Sequence, residues 1–207
     1  MARLTRKEIL QDFRTRSLLE ATRKIIATEG FDAVTMERVA AEAGITKGAI
    51  YIYFRNKDQM IMAALEEIAS EMLREIESEI DPKALPWEKL CQVVHAQMES
   101  MERHKDVLRT LLLIRWSLSD RHERKKWTRL LKHLERHLDQ LKTILDEGLR
   151  QKAFYPMDTA IAAFCINEMT ISTAQKRLIG LSRASLEEEI QGLIRFIALL
   201  LRQKKPI

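Results

Sequence analysis

The feature that most restricts this chain is a turn. Between Thr35 and Asp58 it reads TMERVAAEAGITKGAIYIYFRNKD, two short amphipathic stretches hinged on Ala43-Gly44-Ile45. Thr35 and Thr46 each stand where a side chain caps the stretch that follows. Gly44 is the residue that takes a positive φ at a sharp bend without a Cβ penalty. Val39, Ala40 and Ile45 face inward, and Ile50 and Phe54, four residues apart, share the face that packs against them. The run YIYF, a strand by propensity alone, is therefore expected to be helical. Two short helices meeting at such a turn have the form of a helix-turn-helix.

The rest of the chain follows the helical period. Only six glycines and four prolines occur in 207 residues, 46% of them apolar and 31% charged, a composition that favours an all-α fold with a real core. Leu18, Ala21, Thr22, Ile25 and Ile26 mark a first helix over about 10–30, ended by Gly30 and preceded by a basic arm of Arg3, Arg6 and Lys7. Asn56 with Gln59 opens a fourth helix striped by Ile61, Leu65, Ile68, Met72, Ile76 and Ile80. Pro86 suits the first position of the next helix, and Val107, Leu111, Leu112 and Trp116 mark a further segment. A long helix carries Trp127 through Leu145, Pro156 restarts the chain, and Ser185 with Glu188 caps a last helix. The expected organisation is a head over 1–58, a connecting fourth helix over 59–80 and a larger helical region over 81–207.

The second short helix carries the chemistry. Its outward face shows Lys47, Gly48, Ala49, Tyr51 and Ile52, small enough around the two glycine and alanine positions to sit deep in a major groove. There Ile52 can meet a thymine methyl and Tyr51 a base edge or sugar. Thr35, Thr46, Tyr53 and Lys57 are placed to donate to phosphates, Lys57 with the added pull of a helix N-terminus. The plain alternatives are half-buried tyrosines and solvated lysines. A net charge of +5 suits a nucleic-acid partner without requiring one.

At these residues the chain closely resembles the DNA-binding signature of the TetR family of bacterial transcriptional regulators. The likeness spans roughly residues 10–65 and rests on Thr35, Ala40, Ala43, Gly44, Gly48, Tyr51, Tyr53, Phe54 and Lys57 together. It implies a three-helix DNA-binding head, a homodimer on a double-stranded DNA operator, and an all-helical C-terminal domain that binds an effector. It also implies that Thr35, Tyr53 and Lys57 contact phosphates while Lys47 to Tyr51 face the groove. Repression of a palindromic operator, relieved by a small apolar ligand, is the expected function; activation stays open.

Beyond residue 80 no motif guides the reading. Trp87, Cys91, Met98, Met101, Trp116, Trp127 and Met169 suit the wall of an apolar effector pocket and equally suit plain core. Ile161, Phe164, Ile194, Ile197 and Leu201 are core or a dimer interface, and the resemblance favours the interface. His133 and His137 stand four apart, as two metal ligands can, but with no third at a matching spacing, so neither a metal nor a cofactor is expected. Enzymatic motifs such as a P-loop, a Rossmann glycine pattern or a nucleophile elbow do not occur, and no catalytic residue is assigned. A non-specific architectural DNA binder is the remaining rival. Two well-separated cysteines, no signal-like N-terminus and no run of about 18 apolar residues point to a reduced cytoplasmic setting without a membrane partner.

Overall fold

The structure, a computed structural model, describes residues 5–105, 108, 109, 112 and 127–201. Arg3, Val107, Leu111 and Trp116 lie outside the described residues. Eight α-helices and no strand occur among those described: α1 (Arg6–Glu29), α2 (Met36–Glu42), α3 (Lys47–Ile50), α4 (Lys57–Ser78), α5 (Pro86–Arg103), α6 (Thr128–Arg150), α7 (Thr159–Leu178) and α8 (Leu186–Leu201). The chain divides into two compact units, and the division falls inside α4 between Ile68 and Ala69.

Local chemistry explains most helix ends. α1 begins four residues earlier than expected because Thr5 and Glu8 form a reciprocal capping box: the Thr5 N–H donates to the Glu8 carboxylate at 2.7 Å and the Glu8 N–H to Thr5 Oγ1 at 3.3 Å. Arg6 and Lys7 are thus in the first helical turn, which corrects their assignment to an arm. Gly30, at φ 87°, ends α1. In the first unit α1 buries Leu18, Ala21, Ile25 and Ile26 in a core shared with Val39 and Ala40 of α2, Ile50 of α3, Phe54 just after it, and Met60, Ile61 and Leu65 of α4.

The second unit is a helix bundle. Pro86 starts α5, and the N–H of Leu85 just before it donates to the Glu88 carboxylate at 3.0 Å. Asp158 caps α7 by accepting from the N–H groups of Ala160 and Ile161, and Ser185 and Glu188 box the start of α8. Leu90, Val93 and Val94 of α5, Leu141 and Leu145 of α6, Ile166 of α7, and Leu193, Ile197 and Leu201 of α8 make one apolar cluster with Ile76 and Phe154. No described helix is long and apolar enough to cross a membrane.

Candidate nucleic-acid interface and effector site

The turn forms as its residues require. Thr35 Oγ1 accepts from the Arg38 N–H at 3.2 Å and Thr46 Oγ1 from the Ala49 N–H at 3.3 Å. Each hydroxyl hydrogen remains free to be given to an external acceptor. Gly44 sits at φ 66°, where a side chain would be strained, and the Ile45 N–H reaches back to the Ala40 carbonyl at 2.9 Å.

The YIYF run needs a correction. Regular α-helix ends at Ile50, and Tyr51 to Tyr53 wind on as tighter turns, with i→i+3 bonds from Ile52 to Ala49 and from Tyr53 to Ile50 at 3.2 and 3.0 Å. Phe54 still donates to the Ile50 carbonyl at 3.0 Å, so the two anchors stay on one face. They are 0% and 4% exposed, whereas Tyr51 and Ile52 are 49% and 74% exposed. Lys47 and Gly48 are exposed, and Ala49 and Tyr53 half-buried. Four of the five proposed groove residues are therefore open to solvent.

Lys57 opens α4, its ammonium 5.5 Å from the centre of the Phe31 ring. Asn56 Oδ1 accepts from the Gln59 N–H at 2.8 Å, while Gln59 Oε1 accepts from Arg55 rather than from Asn56, at 2.7 Å. The corner before α4 is thereby fixed from both sides. Lys47 is not a free charge: its Nζ lies 2.5 Å from Glu37 Oε1. That hydrogen bond holds the Glu37 carboxyl below its ordinary range and raises the Lys47 ammonium above its own.

The residues named for an effector pocket are not brought together. Cys91 lines a cavity of about 240 Å³ with His95, Gln191 and Ile194, while Met98 and Met101 line another of about 230 Å³ with Ala174 and Arg177. Met169 borders a groove of about 610 Å³ between α7 and α8, beside Thr173, Gly192 and Phe196. Trp87 packs against the apolar cluster and Trp127 is buried. Type alone could not sort these residues, because tryptophan and methionine fill cores and pockets equally well.

Sequence reasoning missed a polar layer inside the bundle. Gln97 of α5 donates through Nε2 to Asn167 Oδ1 of α7 at 2.9 Å, with the two side chains 3% and 1% exposed. His137 of α6 is a third polar side chain buried in the bundle, and the Thr159–Asp146 hydrogen bond ties α7 to α6. His137 is 7% exposed and neither ring nitrogen has a partner; Gln97 Oε1 is likewise unpaired. Burial pushes the imidazole down to about 4, so it is neutral. Next to this layer Glu75 accepts from Ser100, Arg103 and His104. Burial opposes its ionisation, yet these bonds win and hold its carboxyl at about 2.

Two of the interface assignments are corrected. Ile197 and Leu201, 1% and 6% exposed, belong to the core of their own chain, and Ile194 packs against that core. The apolar residues left outside are Ile161 and Phe164 on α7, 62% and 48% exposed, and Phe196, Leu199 and Leu200 on α8. Among the described residues no cluster of His, Cys, Asp and Glu is arranged to hold a metal.

Residues 18–64 match the family described as bacterial regulatory proteins, tetR family, and residues 83–175 match the tetracyclin repressor-like C-terminal domain. The fatty acid metabolism regulator protein of Bacillus subtilis is 26% identical over 191 residues, covering 85% of this chain and 93% of its own length. The crystal structure of the B. subtilis regulator FadR in complex with stearoyl-CoA superposes with a TM-score of 0.74 at 23% identity, over 88% of this chain and 96% of that one. A transcriptional regulator from Saccharomonospora viridis in complex with choline gives 0.81 at 19% identity, over 93% and 100%.

Proposed function

The chain belongs to the TetR family of bacterial transcriptional regulators, and on that premise we propose that it is a homodimeric repressor, released from a palindromic operator by a small apolar ligand. The observation that carries this reading is the surface of Lys47, Gly48, Ala49, Tyr51 and Ile52, standing clear of a core into which Ile50 and Phe54 are sunk. A dimer presents two such surfaces to successive major grooves about 34–36 Å apart or a multiple of that. Thr35, Thr46, Tyr53 and Lys57 hold phosphates on either side of the reading surface.

The second copy packs on the exposed apolar residues Ile161 and Phe164 of α7 and Phe196, Leu199 and Leu200 of α8, which otherwise stand in water. α4, inside which the two units divide, is the connection through which ligand binding alters the spacing of the heads. The ligand has this effect only by binding the released form more tightly than the DNA-bound one. Its polar end is satisfied by the unpaired atoms of Gln97 and His137 inside the bundle, buried groups that ask for a partner. The relative with stearoyl-CoA makes a long acyl chain the first ligand to try.

The test is selection of bound fragments from random DNA by the full-length protein, repeated with stearoyl-CoA and with choline. A two-fold symmetric motif, bound roughly a thousandfold more tightly than random sequence, is expected. Recovery without sequence preference would favour an architectural DNA binder and end the proposal.

A further inference from the structure

The head neutralises its own cations. Between Thr5 and Ile68 ten basic residues are matched by ten acidic ones, so the net charge of the chain arises elsewhere. Lys24 is bonded to Glu42, Arg38 to Glu29 and Lys47 to Glu37. The third pair is different in kind, because Lys47 is one of the groove-facing residues. Glu37 lies in the first turn of α2 and Lys47 is the first residue of α3, so the pair bridges the two helices across the turn. The side chains are 53% and 63% exposed, and an exposed pair of this sort contributes little to folding. Stability therefore gives no reason for a carboxylate on a surface that must approach a polyanion.

We propose that Glu37 is a specificity-determining residue of the DNA interface, positioning the Lys47 ammonium and penalising every sequence that the pair does not match. The inference rests on the docking of α3 proposed above. An untethered lysine is a swivelling point charge that finds any nearby phosphate. Held by Glu37, its ammonium is aimed instead of roaming, and guanine O6 and N7 are the acceptors it meets in a major groove. The second carboxylate oxygen of Glu37 accepts only, so it suits the amino group of cytosine and is repelled by thymine O4 and by phosphate. Lys47 and Glu37 together thus favour a G·C pair at the position they face. They also remove one cation from the sequence-independent attraction that random DNA exerts.

The experiment compares the full-length protein with Glu37→Gln, Lys47→Ala and the double variant, on the selected operator and on random duplexes across a salt series. Glu37→Gln is expected to tighten binding to random DNA, to steepen the salt slope by about one, and to reduce the preference for G·C at one operator position about tenfold. With Lys47 already alanine, Glu37→Gln should no longer change base preference through the lysine, and the two losses should be far from additive. Unchanged preference and slope in Glu37→Gln overturn the inference, as do fully additive effects. Lys57→Ala serves as the control on docking. If it weakens binding while Glu37→Gln is inert, the docking stands and the positioning role falls; if Lys57→Ala and Lys47→Ala are both inert, the docking itself falls and takes the inference with it.

Discussion

Replacing His137 with leucine should remove a specific piece of the protein's acid sensitivity. The imidazole is held near 4 by burial, against about 6.5 in an unfolded chain. The unfolded state therefore takes up a proton that the folded state refuses, and stability present above pH 6.5 is lost as the pH falls towards 4. The full loss is roughly 3 kcal/mol, at a slope approaching about 1.4 kcal/mol per pH unit. Burial alone causes the shift, and among the described residues no charged partner compensates it. Carboxylates with lowered values, Glu75 at about 2 among them, contribute mainly below about pH 5 and are common to both proteins, so the difference between the two curves reports the histidine. Urea unfolding at pH 7.5, 6.5, 5.5 and 5 reads the effect. At pH 7.5 the leucine variant should equal or exceed the natural protein, because two unpaired buried nitrogens are gone. Its advantage should grow by about 2 kcal/mol on going to pH 5. Parallel stability curves for the two proteins would refute the buried, neutral imidazole and with it the polar layer assigned to the ligand.

Lys57→Ala should weaken binding to operator and random DNA alike and lower the salt slope by about one in the same titrations, and Tyr53→Phe should weaken both without moving the slope. Gly148→Ala places a methyl against the Phe154 ring in a fully packed site; overpacking of this kind costs about 1–3 kcal/mol, visible as a lowered urea midpoint, and an unchanged midpoint would mean that the ring moves freely. Phe164→Glu puts a charge in the exposed α7–α8 stripe, so sedimentation should report monomer where the natural chain sediments as a dimer, with the unfolding midpoint little altered. A dimer persisting in the variant would move the interface elsewhere.

What could be read from the sequence was local. Thr35, Thr46, Ser185 and Gly30 act through neighbours three or four residues away, so their roles survive without knowledge of the fold. The Thr5–Glu8 box is equally local, but Arg6 and Lys7 between its two members read as a basic arm. α8 shows where locality fails. Leu193, Ile194, Phe196, Ile197, Leu199, Leu200 and Leu201 make it apolar nearly all round, so periodicity does not say which stripe meets its own bundle. Only packing against α5 and α7 turns Ile197 and Leu201 inward and leaves Phe196 and Leu199 outside. His137 was legible as a spacing to His133 but not as a buried group, and Glu37 meets Lys47 ten residues on, across a turn.

The balanced charge of the head bears on how a repressor of the proposed kind would let go. Sequence-independent attraction scales with the cations a protein can give to phosphates, and among the residues around the turn Lys24, Arg38 and Lys47 are already given to Glu42, Glu29 and Glu37. A single head would then bind weakly, and tight binding would depend on two heads engaging at once. Linked sites gain by effective concentration only while geometry permits both contacts, and lose the whole gain when it does not. A modest change in head spacing on ligand binding would suffice for release, where a strongly basic head would cling to DNA through either half alone. Glu42→Gln and Glu29→Gln, which free cations away from the reading surface, should therefore slow release by ligand in an operator-dissociation assay while leaving base preference intact. Release as fast and complete as in the natural protein would mean that internal pairing of the cations plays no part in it.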